Sequence, residues 1–577
     1  MKKFLLSATS ALLVTTGFSQ SSIKLTPAQN NFKLSAPVHT TEVQHAQASQ
    51  MPNIGDFTPV ERSATETQIG QSYYDLQTNS SIQRRILRHA NSTTTATWTF
   101  STDAAWTARG TGYNYHNGSS WGSVPSTTIE PTSERTGWPN PLRTGQGKEY
   151  ITAHSTVNSI LHRMERAQVG SGTWSQSNLN SSTESFIQVW SRSSMGGSNN
   201  NTIHLVGMTL PTANAGTPYN GMDGAFLYSR STNGGSSFDI VNYQIPGTNV
   251  NYFDGFDGDS YSIDAQGNDV AIVVGGLGRG VQLFKSTNNG VNWTKTDVMT
   301  SAVWFDEAST LIDTTLADRL LTSDGSVTVL LDGDGMAHVW FGTMYIANTD
   351  LTDGTLTYYP YTNSIEYWNE DFPGDNTLRL FGMLDLNNNN ILDIDNPGGQ
   401  YRFAGLVSHP QAGISADGCI YLSYTSLRED LSSGTQAYRH NYVTSSCDGG
   451  CSWSFPIDVT GSSNNNFVEC AFPSIARKVD DDIHIIYMAD NEPGIAVSGD
   501  MDSPVINKMI YLTEDRDRFD TTLICPVEIA GDSFLCAGGA VEVQALGCAT
   551  SYAWTGPSSF TSSNQVIQAS SFGTYTC

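Results

Sequence analysis

Short apolar runs recur along the chain between about residues 85 and 522, and turn-forming Gly, Asn, Asp and Ser separate them. The runs come in pairs, as in VAIVVGG with VQLFKS and in IHIIYMAD with KMIYLTED. Short runs rich in β-branched and aromatic residues, bounded by turn residues, are typical of strands rather than helices. We count seven such strand units, or six if one unit has been divided in two, and we predict an all-β chain.

One turn pattern repeats between the strands of these units. Asp or Asn can bond back to its own backbone, Gly takes the positive-φ position, and an aromatic residue packs beneath the hairpin. A weaker copy keeps Gly118 and Trp121. The three strong copies contain Ser231, Asn233, Gly235 and Phe238; Ser286, Asn288, Gly290 and Trp293; and Ser446, Asp448, Gly450 and Trp453.

These copies resemble the Asp-box of sialidase-type and sortilin-type β-propellers, which is also called the BNR repeat. The resemblance implies that residues 81–522 form a six- or seven-bladed β-propeller with the boxes at its periphery. It also implies a binding site at the central mouth. Such propellers are built from radially repeated four-stranded sheets.

The start of the chain predicts export. Lys2 and Lys3 precede an apolar run over residues 4–14, and Gly17-Phe18-Ser19 fits a cleavage site, so residues 1–19 are predicted to be a signal peptide. Residues 20–80 are predicted to be a polar linker or arm, whose end, SYYDLQTNSSIQRRI, would donate a closing strand to the last blade. We therefore expect a secreted or cell-surface protein without a transmembrane segment.

The final segment has a different composition. Cys536, Trp554, Tyr575 and Cys577 follow one another in an order that resembles an immunoglobulin-like sandwich with a tyrosine corner. The segment is similar to the Ig-like or PKD-like modules of large secreted proteins from type IX-secreting bacteria. The resemblance implies a truncated Ig-like domain over residues 525–577, with further Ig-like or sorting domains beyond it.

All eight cysteines lie after residue 418, and in an exported chain they predict structural disulfides. Cys447 and Cys451 could brace their turn, but Cys419 and Cys470 are equal candidates, and four cysteines permit three pairings. In the final segment, Cys536 and Cys577 are the candidates.

Composition limits the choice of ligand. The formal net charge is −26, so the surface repels a phosphate backbone and nucleic acid is excluded as a partner. At the propeller mouth we expect the loops that enter each innermost strand, and the loops between second and third strands, to bring polar residues together. They could hold a sugar through a Trp platform and carboxylates. The candidates are Arg135, Trp138, Asp254, Asp257, Asp259, His409, Asp490 and Glu492.

The leading functional hypothesis is a binding or adhesion protein that holds an extracellular glycan or protein. A secreted glycoside hydrolase, with Asp257 and Asp490 as the acid pair, is the competing hypothesis, and a structural surface or matrix component is the third. The sialidase resemblance implies three arginines, an acid and a Tyr nucleophile paired with Glu. The chain lacks the Arg-Ile-Pro segment, and its only arginine cluster is Arg84, Arg85 and Arg88.

A calcium loop is the one cofactor prediction. In DLNNNNILDID, oxygen-bearing side chains alternate along the loop as they do in EF-hand-type and dockerin-like loops. A solvated Asn-rich turn is the alternative, because Asn390 replaces the usual Gly. The predicted ligands are Asp385, Asn387, Asn389, Ile391 (by its carbonyl), Asp393 and Asp395.

Overall fold

The computed structural model describes residues 22–27, 39–41 and 64–577, except 133, 156–159, 180–186, 254, 301–318, 348–355, 373, 390, 395–400, 499–501, 520–522, 525–527, 532–533, 536–539 and 548–550. These residues form strands and short 3-10 turns, and none of them lies in an α-helix, so the all-β prediction is confirmed. No helix in this part of the chain could cross a membrane. The 3-10 turns are Thr212–Asn214, Ser463–Asn465, Ala496–Ser498, Arg516–Phe519 and Pro557–Ser559.

Seven sheets follow one another along the described chain. Their strands are given from the innermost outward. Sheet 1 contains Ile86–Arg88, Thr94–Ser101 and Arg109–His116; sheet 2 contains Thr136–Arg143, Glu149–Ser155, Ile160–Arg166 and Ser175–Asn178. Sheet 3 contains Gln188–Gly196, Thr202–Thr209, Phe226–Ser231 and Ile240–Tyr243; sheet 4 contains Tyr261–Gln266, Asp269–Val274, Val281–Ser286 and Thr294–Met299.

The next three sheets repeat this pattern with additions at their edges. Sheet 5 contains Leu320–Leu331, Ala337–Ala347, Ile365–Asn369 and Leu378–Phe381; Leu356–Tyr359 pairs with its second strand, and His39–Thr41 pairs with Leu356–Tyr359. Sheet 6 contains Val407–Ser415, Ile420–Ser432, Ala437–Ser446 and Ile457–Asp458, and Lys478–Val479 pairs with its first strand. Sheet 7 contains Glu469–Ile475, Asp482–Asp490, Asn507–Asp515 and Thr65–Ser72.

Sheet 7 joins the two ends of this region. Its outermost strand, Thr65–Ser72, comes from before sheet 1 and pairs antiparallel with Asn507–Asp515. The strands of sheet 1 then contact sheet 7 on one side and sheet 2 on the other, so the sheets close into a ring, which is the arrangement of a β-propeller. The arm does donate a closing strand, but this strand ends at Ser72, where the predicted donor stretch begins.

Six innermost strands share a left-handed backbone position that the sequence analysis missed. Within or directly before each strand, one residue has φ between 51° and 91° and is followed by Pro or Ser. In five of the six strands the ladder register shifts at this residue, as at a β-bulge. The left-handed residues are Trp138, Trp190, Asp259, Gly325, His409 and Phe472.

Residues 74–85, which we call the axial segment, bind to these strands. The Ser81 amide donates to the Asp259 carbonyl at 3.1 Å, and the Ser81 hydroxyl donates to the Gly325 carbonyl at 3.2 Å. Gln411 donates to the Ile82 carbonyl at 3.0 Å, and the Arg85 amide donates to the Ser474 hydroxyl at 2.9 Å. A segment bonded to the first strands of four different sheets lies at the centre of the ring, so the axis is filled.

The repeated turns hold neighbouring sheets together. In the second copy, Gly290 N–H donates to the Ser286 hydroxyl at 2.9 Å, and Asn292 N–H donates to Asn288 Oδ1 at 2.8 Å. The equivalent bonds form in the copies at Ser231 and Ser446. Trp293 packs edge-on against Tyr228 of the preceding sheet, with ring centroids 5.0 Å apart. Each turn therefore braces a boundary between sheets and lies far from the ring axis.

The disulfide bond between described cysteines does not join the two cysteines of one turn. Cys419 pairs with Cys447, because the ladder places Ile420 opposite Ser446 and brings the two cysteine Cα atoms within 4.0 Å. Cys451 is also disulfide-bonded, to a partner outside the described residues, and Cys470 and Cys577 are free. The Cys447–Cys451 alternative is therefore wrong, Cys470 and Cys577 do not form the predicted bridges, and Cys536 lies outside the described residues.

The C-terminal region forms two further sheets, which share a core containing Trp554 and Tyr575. Ser22–Pro27, from the predicted N-terminal arm, runs antiparallel to Gly573–Thr576 in the first of them. The first sheet contains Phe534–Leu535, Ser22–Pro27, Gly573–Thr576, Trp554–Gly556 and Phe560–Ser562. The second contains Glu528–Gly531, Val541–Leu546 and Val566–Ala569, and a separate pair joins Trp453–Ser454 to Leu523–Ile524.

The contact between turn and neighbouring sheet can be tested with two glycines. A Cβ at Gly290 (φ 79°) would lie 2.0 Å from the Tyr228 hydroxyl, whereas a Cβ at Gly418 (φ 90°) meets nothing within 4 Å. Both alanine variants carry left-handed strain, but only Gly290→Ala also collides, so we expect it to lose about 1–3 kcal/mol more in the free energy of unfolding. Urea unfolding of both variants measures the two free energies of unfolding. An equal decrease in Gly290→Ala and Gly418→Ala would contradict the bracing role of the turn.

Candidate functional site

Two predicted mouth residues bind each other inside the ring. Trp138 Nε1 donates to Asp259 Oδ2 at 2.7 Å, and the Asn79 amide donates to the same oxygen at 2.8 Å. Arg192 lies 3.0 Å from Asp259 Oδ1, and Trp138 is only 3% exposed. Asp259 therefore anchors the axial segment, and the exposed tryptophan platform that we predicted does not form because Trp138 faces this buried carboxylate.

His409 is a core residue. Its Nδ1 lies 3.2 Å from the Thr425 hydroxyl, and its ring packs against Tyr401 and Phe472. Burial, together with the charge of Arg439, lowers the pKa of His409 to about 3. A neutral, enclosed imidazole of this kind stabilises the fold and presents no group to a ligand.

The predicted acid pair is separated. Asp257 precedes the first strand of sheet 4 and lies 3.8 Å from Arg279, whereas Asp490 ends the second strand of sheet 7. No hydrogen bond joins the two carboxyls in the part of the chain that the structure describes. Asp254 lies outside the described residues. The two carboxyls therefore belong to different sheets and have different neighbours.

Four carboxyl groups meet at sheet 7, and we call them the acidic cluster: Asp75, Asp490, Glu492 and Asp502. Asp490 and Glu492 were predicted, while Asp75 comes from the axial segment and Asp502 from the loop between the second and third strands. Asp75 accepts hydrogen bonds from the amides of Ala496 (2.5 Å) and Val497 (3.3 Å). The Glu492 amide donates to Asp490 Oδ1 at 3.2 Å, and Ser503 N–H donates to Glu492 Oε2 at 3.4 Å.

The acidic cluster is buried except at Glu492. Asp75, Asp490 and Asp502 are 1%, 3% and 7% exposed. Both carboxylate oxygens of Asp502 and Oδ2 of Asp490 are buried and accept no well-formed hydrogen bond, and the Asp502 carboxyl interacts with those of Asp75 and Glu492 and with the Ser503 amide. Burial raises the pKa of Asp502 to about 8, with the charges of Asp490 and Asp75 adding to it, and burial raises the pKa of Asp490 to about 6. Such groups, short of donors, are unusual in a folded protein and make the acidic cluster a candidate functional site.

Exposed apolar residues border the acidic cluster. Phe467, directly before the first strand of sheet 7, is 55% exposed and lies edge-on to Tyr438, with ring centroids 6.0 Å apart. The Tyr438 hydroxyl donates to the Asn491 carbonyl at 3.1 Å, which ties this ring to the loop of the acidic cluster. Val505 and Ile506 follow Asp502 in the same loop and are also exposed. We call Phe467, Val505 and Ile506 the apolar rim.

Basic residues lie on the other side of Asp75. Arg109 donates to the Tyr74 hydroxyl at 3.1 Å and to the Thr136 carbonyl at 2.8 Å. Arg135, a predicted ligand residue, is half-buried and donates to the Trp106 carbonyl at 3.2 Å. Burial raises the pKa of Tyr74, and the charge of Arg109 opposes that rise. The charges at the mouth are therefore divided, with arginines beside sheets 1 and 2 and carboxyls at sheet 7.

A tyrosine–glutamate pair also occurs, but it is enclosed. The Tyr401 hydroxyl donates to Glu469 Oε1 at 2.6 Å, and the Arg439 amide donates to Glu469 Oε2 at 2.6 Å. Tyr401 is 5% exposed, and burial raises its pKa well above the ordinary value. Burial likewise raises the pKa of Glu469 to about 7. A phenol that resists ionisation and does not face solvent cannot act as the sialidase-type nucleophile.

The predicted calcium loop folds back on itself. Asn387 and Asn389 both donate to Asp393 Oδ2, at 3.1 and 2.9 Å, and the Asn389 amide donates to Asp385 Oδ1 at 3.3 Å. The Ile391 amide donates to Asn389 Oδ1 at 2.7 Å. Asp395 lies outside the described residues.

One carboxylate near this loop was missed. Glu429 Oε1, from the end of a sheet 6 strand, accepts the Leu386 and Asn387 amides at 2.5 and 2.9 Å. Across the described ranges, no three His, Cys, Asp or Glu side chains are arranged to hold a metal ion. A cation here would therefore rely on amide and carbonyl oxygens as well as on carboxylates.

A separate cavity lies at the edge of sheet 7. Its volume is about 680 Å³, and it is lined by Ala64, Glu66 and residues 461–464 and 466. Glu66 Oε1 accepts hydrogen bonds from Tyr487 (2.8 Å) and Asn465 (2.9 Å), so this carboxylate is already satisfied. The acidic cluster is therefore the stronger candidate site.

Comparison with known proteins finds low similarity. No protein-family model matches the chain, and no curated protein does. A structure of an ulvan lyase from polysaccharide lyase family PL25 aligns with a TM-score of 0.41 and 11% identity over 79% of this chain and 99% of that one. Trypanosoma rangeli sialidase aligns with a TM-score of 0.33 and 9% identity over 78% of this chain and 59% of that one.

An endo-arabinase from Bacteroides thetaiotaomicron aligns with a TM-score of 0.28 and 9% identity, over 64% of this chain and 96% of that one. Because these TM-scores lie below 0.5, the fold described above rests on the strand pairings of this chain.

The pKa of Asp502 gives a prediction about stability. Its pKa is about 8 when folded and about 4 when unfolded, so between these values the folded state holds the extra proton and stability falls as pH rises. Asp502→Asn does not titrate. Its stability relative to the parent should therefore rise by more than about 1 kcal/mol between pH 4 and pH 8.

Urea unfolding of the parent and Asp502→Asn across this pH range is the measurement. Phe467→Ala is the control, since it alters the same region without removing a titratable group. A pH-independent difference between the parent and Asp502→Asn would contradict the raised pKa.

Proposed function

We propose that this protein binds an extracellular glycan at the part of the propeller mouth formed by the acidic cluster and the apolar rim. The observation that carries the proposal is the exposed Phe467 ring beside carboxyl groups three of whose oxygens accept no well-formed hydrogen bond. A flat aromatic surface packs against the apolar face of a sugar, and carboxylates accept hydrogen bonds from its hydroxyls. A protein ligand is the second form of this binding hypothesis. Both forms include the proposal that the protein is exported from the cell.

We also propose the finer architecture. The seven sheets correspond to seven propeller blades, the repeated turns to Asp-boxes, and the two C-terminal sheets to an Ig-like module of the kind found in type IX-secreted proteins. The hydrogen bonds shared by the turns support the second assignment, and the buried Trp554 and Tyr575 support the third. The signal peptide over residues 1–19 belongs to the same proposal, and those residues lie outside the described part of the chain.

A glycoside hydrolase is the second candidate function, and one observation favours it. The raised pKa of Asp490 and of Asp502 would keep a carboxyl protonated near neutral pH, as a general acid requires. If the protein is a hydrolase, Asp490 and Asp502, which meet at sheet 7, are therefore preferred as its acid pair over Asp257 and Asp490, which belong to different sheets. A structural matrix role is the third candidate and requires no ligand.

Substitution of Phe467 tests the binding proposal. Phe467→Ala should weaken glycan affinity about tenfold, because an aromatic contact contributes about 1 kcal/mol beyond its buried area. Glycan-array screening of the purified protein, followed by calorimetric titration of the best ligand, measures the change. Phe572→Ala is the matched control, since Phe572 is 49% exposed on the C-terminal module.

The same preparation separates the three functions. Unchanged affinity in Phe467→Ala would move the binding site elsewhere, and no binding to any glycan would leave a protein ligand or the structural role. Release of chromophore from aryl glycosides, lost in Asp490→Asn or Asp502→Asn, would establish the hydrolase instead.

We propose that the loop at residues 385–395 holds a calcium ion, for which the convergence of Asp385, Asn387 and Asp393 is the support. Calorimetric titration with calcium chloride should show one site in the parent. Removing a negatively charged ligand should weaken the affinity at least tenfold in Asp385→Asn and Asp393→Asn. Asp334→Asn, in an exposed turn of sheet 5, should bind as the parent does. Absence of heat in the parent would show that the loop is a solvated turn.

A further inference from the structure

We infer that the acidic cluster selects glycans that carry a free ammonium group, that is, amino sugars whose nitrogen is not acetylated. This inference rests on the proposed glycan-binding function and names the chemical class of its ligand. It starts from a difference between this cluster and the other buried carboxylates of the protein.

Most other buried carboxylates of the described chain have a cationic partner, and the two that form no ion pair, Asp324 and Glu469, accept an O–H or N–H donor on each oxygen. Asp259 pairs with Arg192 at 3.0 Å, and Glu149 pairs with Arg166 at 2.6 Å. Asp264 likewise pairs with Arg477 at 2.8 Å, and the half-buried Asp458 pairs with Arg428 at 2.8 Å. Outside the acidic cluster, the ring therefore supplies a cation or hydrogen-bond donors to its described buried carboxylates, since an unpaired buried charge is costly.

The acidic cluster has no such partner. Among the described residues, no Lys, Arg or His forms an ion pair with Asp75, Asp490, Glu492 or Asp502. Three carboxylate oxygens, two on Asp502 and one on Asp490, accept no well-formed hydrogen bond, and the Asp502 carboxyl interacts mainly with other acids, Asp75, Asp490 and Glu492. The missing components are one positive charge and several N–H donors, and an ammonium group supplies both, with three N–H bonds.

Two observations favour an amino sugar over other cations. No three acidic side chains of the described chain are arranged to hold a metal ion, so the acidic cluster suits a hydrogen-bonding cation better. The exposed Phe467 ring beside Tyr438 offers a flat surface to a sugar ring. Glu492 is the exposed member of the cluster, so the ammonium group reaches Asp490 and Asp502 past its carboxylate.

Binding of an ammonium group should also release protons. The groups facing Asp490 and Asp502 are Asp75 from the axial segment, Glu492 from the same loop and Tyr438 from sheet 6. A bound positive charge favours the ionised carboxyls, so protons held by Asp502 leave as the ligand enters. A neutral sugar has no such effect.

The experiment compares the glucosamine tetramer with its fully N-acetylated form, which has the same length and no charge. Titration calorimetry of the parent at pH 7, in two buffers of different ionisation enthalpy, gives affinity and proton release. We expect at least tenfold tighter binding of the glucosamine tetramer, with proton release. Asp502→Asn and Asp490→Asn should abolish this preference, and Asp257→Asn, which removes the mouth carboxyl near Arg279, should preserve it.

The outcomes separate the inference from the proposed function. Equal or tighter binding of the N-acetylated tetramer would overturn the inference and leave glycan binding intact. Binding of spermidine or oligolysine, with neither sugar bound, would overturn both and identify a cationic non-glycan ligand. Because the comparison of the two tetramers uses the parent protein, the inference stays testable even if a variant fails to fold.

Discussion

The ring depends on the hydrogen bonds between the axial segment and the innermost strands. A left-handed residue costs about 1 kcal/mol or more outside glycine, and here it also turns backbone groups away from the strand ladder toward the axis. Those groups need partners, since buried backbone donors and acceptors are almost always paired. Ser81 and Arg85 supply several of these bonds, so one segment completes strands from several sheets at once. The segment follows the strand that closes sheet 7, which links closure of the ring to filling of its centre.

Filling the axis changes where a ligand can bind. A propeller with an open centre can hold a ligand on its axis, but here Asp259 and Trp138 are used to hold the axial segment. The remaining accessible chemistry lies to one side, where the segment passes sheet 7 and contributes Asp75. The candidate site is therefore assembled from the same chain segment that closes the ring. Ligand binding there would depend on closure of the ring, because displacing the axial segment would remove Asp75, one of the four carboxyls.

A feature could be predicted from the sequence when the residues that determine it lie close together along the chain, and could not when they lie far apart. Strands and repeated turns were predicted because their signals are local: β-rich runs, and Asn, Gly and an aromatic residue at set spacing. Asp75 was assigned to a linker, because its position depends on sheet 7, which lies at the other end of the propeller region. Asp502 was missed although it shares a loop with Asp490. The pairing of Cys419 with Cys447 follows from ladder register, which no local signal reports. The left-handed positions were not predicted, because Trp, His and Phe rarely adopt that backbone conformation.

Two buried acids show how the fold separates structural charges from functional ones. Glu469 lies near the mouth with a raised pKa, yet a tyrosine hydroxyl and a backbone amide donate to its two oxygens, and the guanidinium of Arg439 lies nearby. Asp502 has a raised pKa of similar size, but its oxygens accept no well-formed hydrogen bond and its carboxyl faces those of Asp75, Asp490 and Glu492. The pKa alone therefore does not distinguish the two residues, whereas the count of hydrogen-bond partners does. A protein that supplies a cation or hydrogen-bond donors to its other buried carboxylates has the means to do the same for Asp502. Leaving it unpaired reduces stability, and a ligand that supplies the missing charge and donors recovers that free energy as affinity.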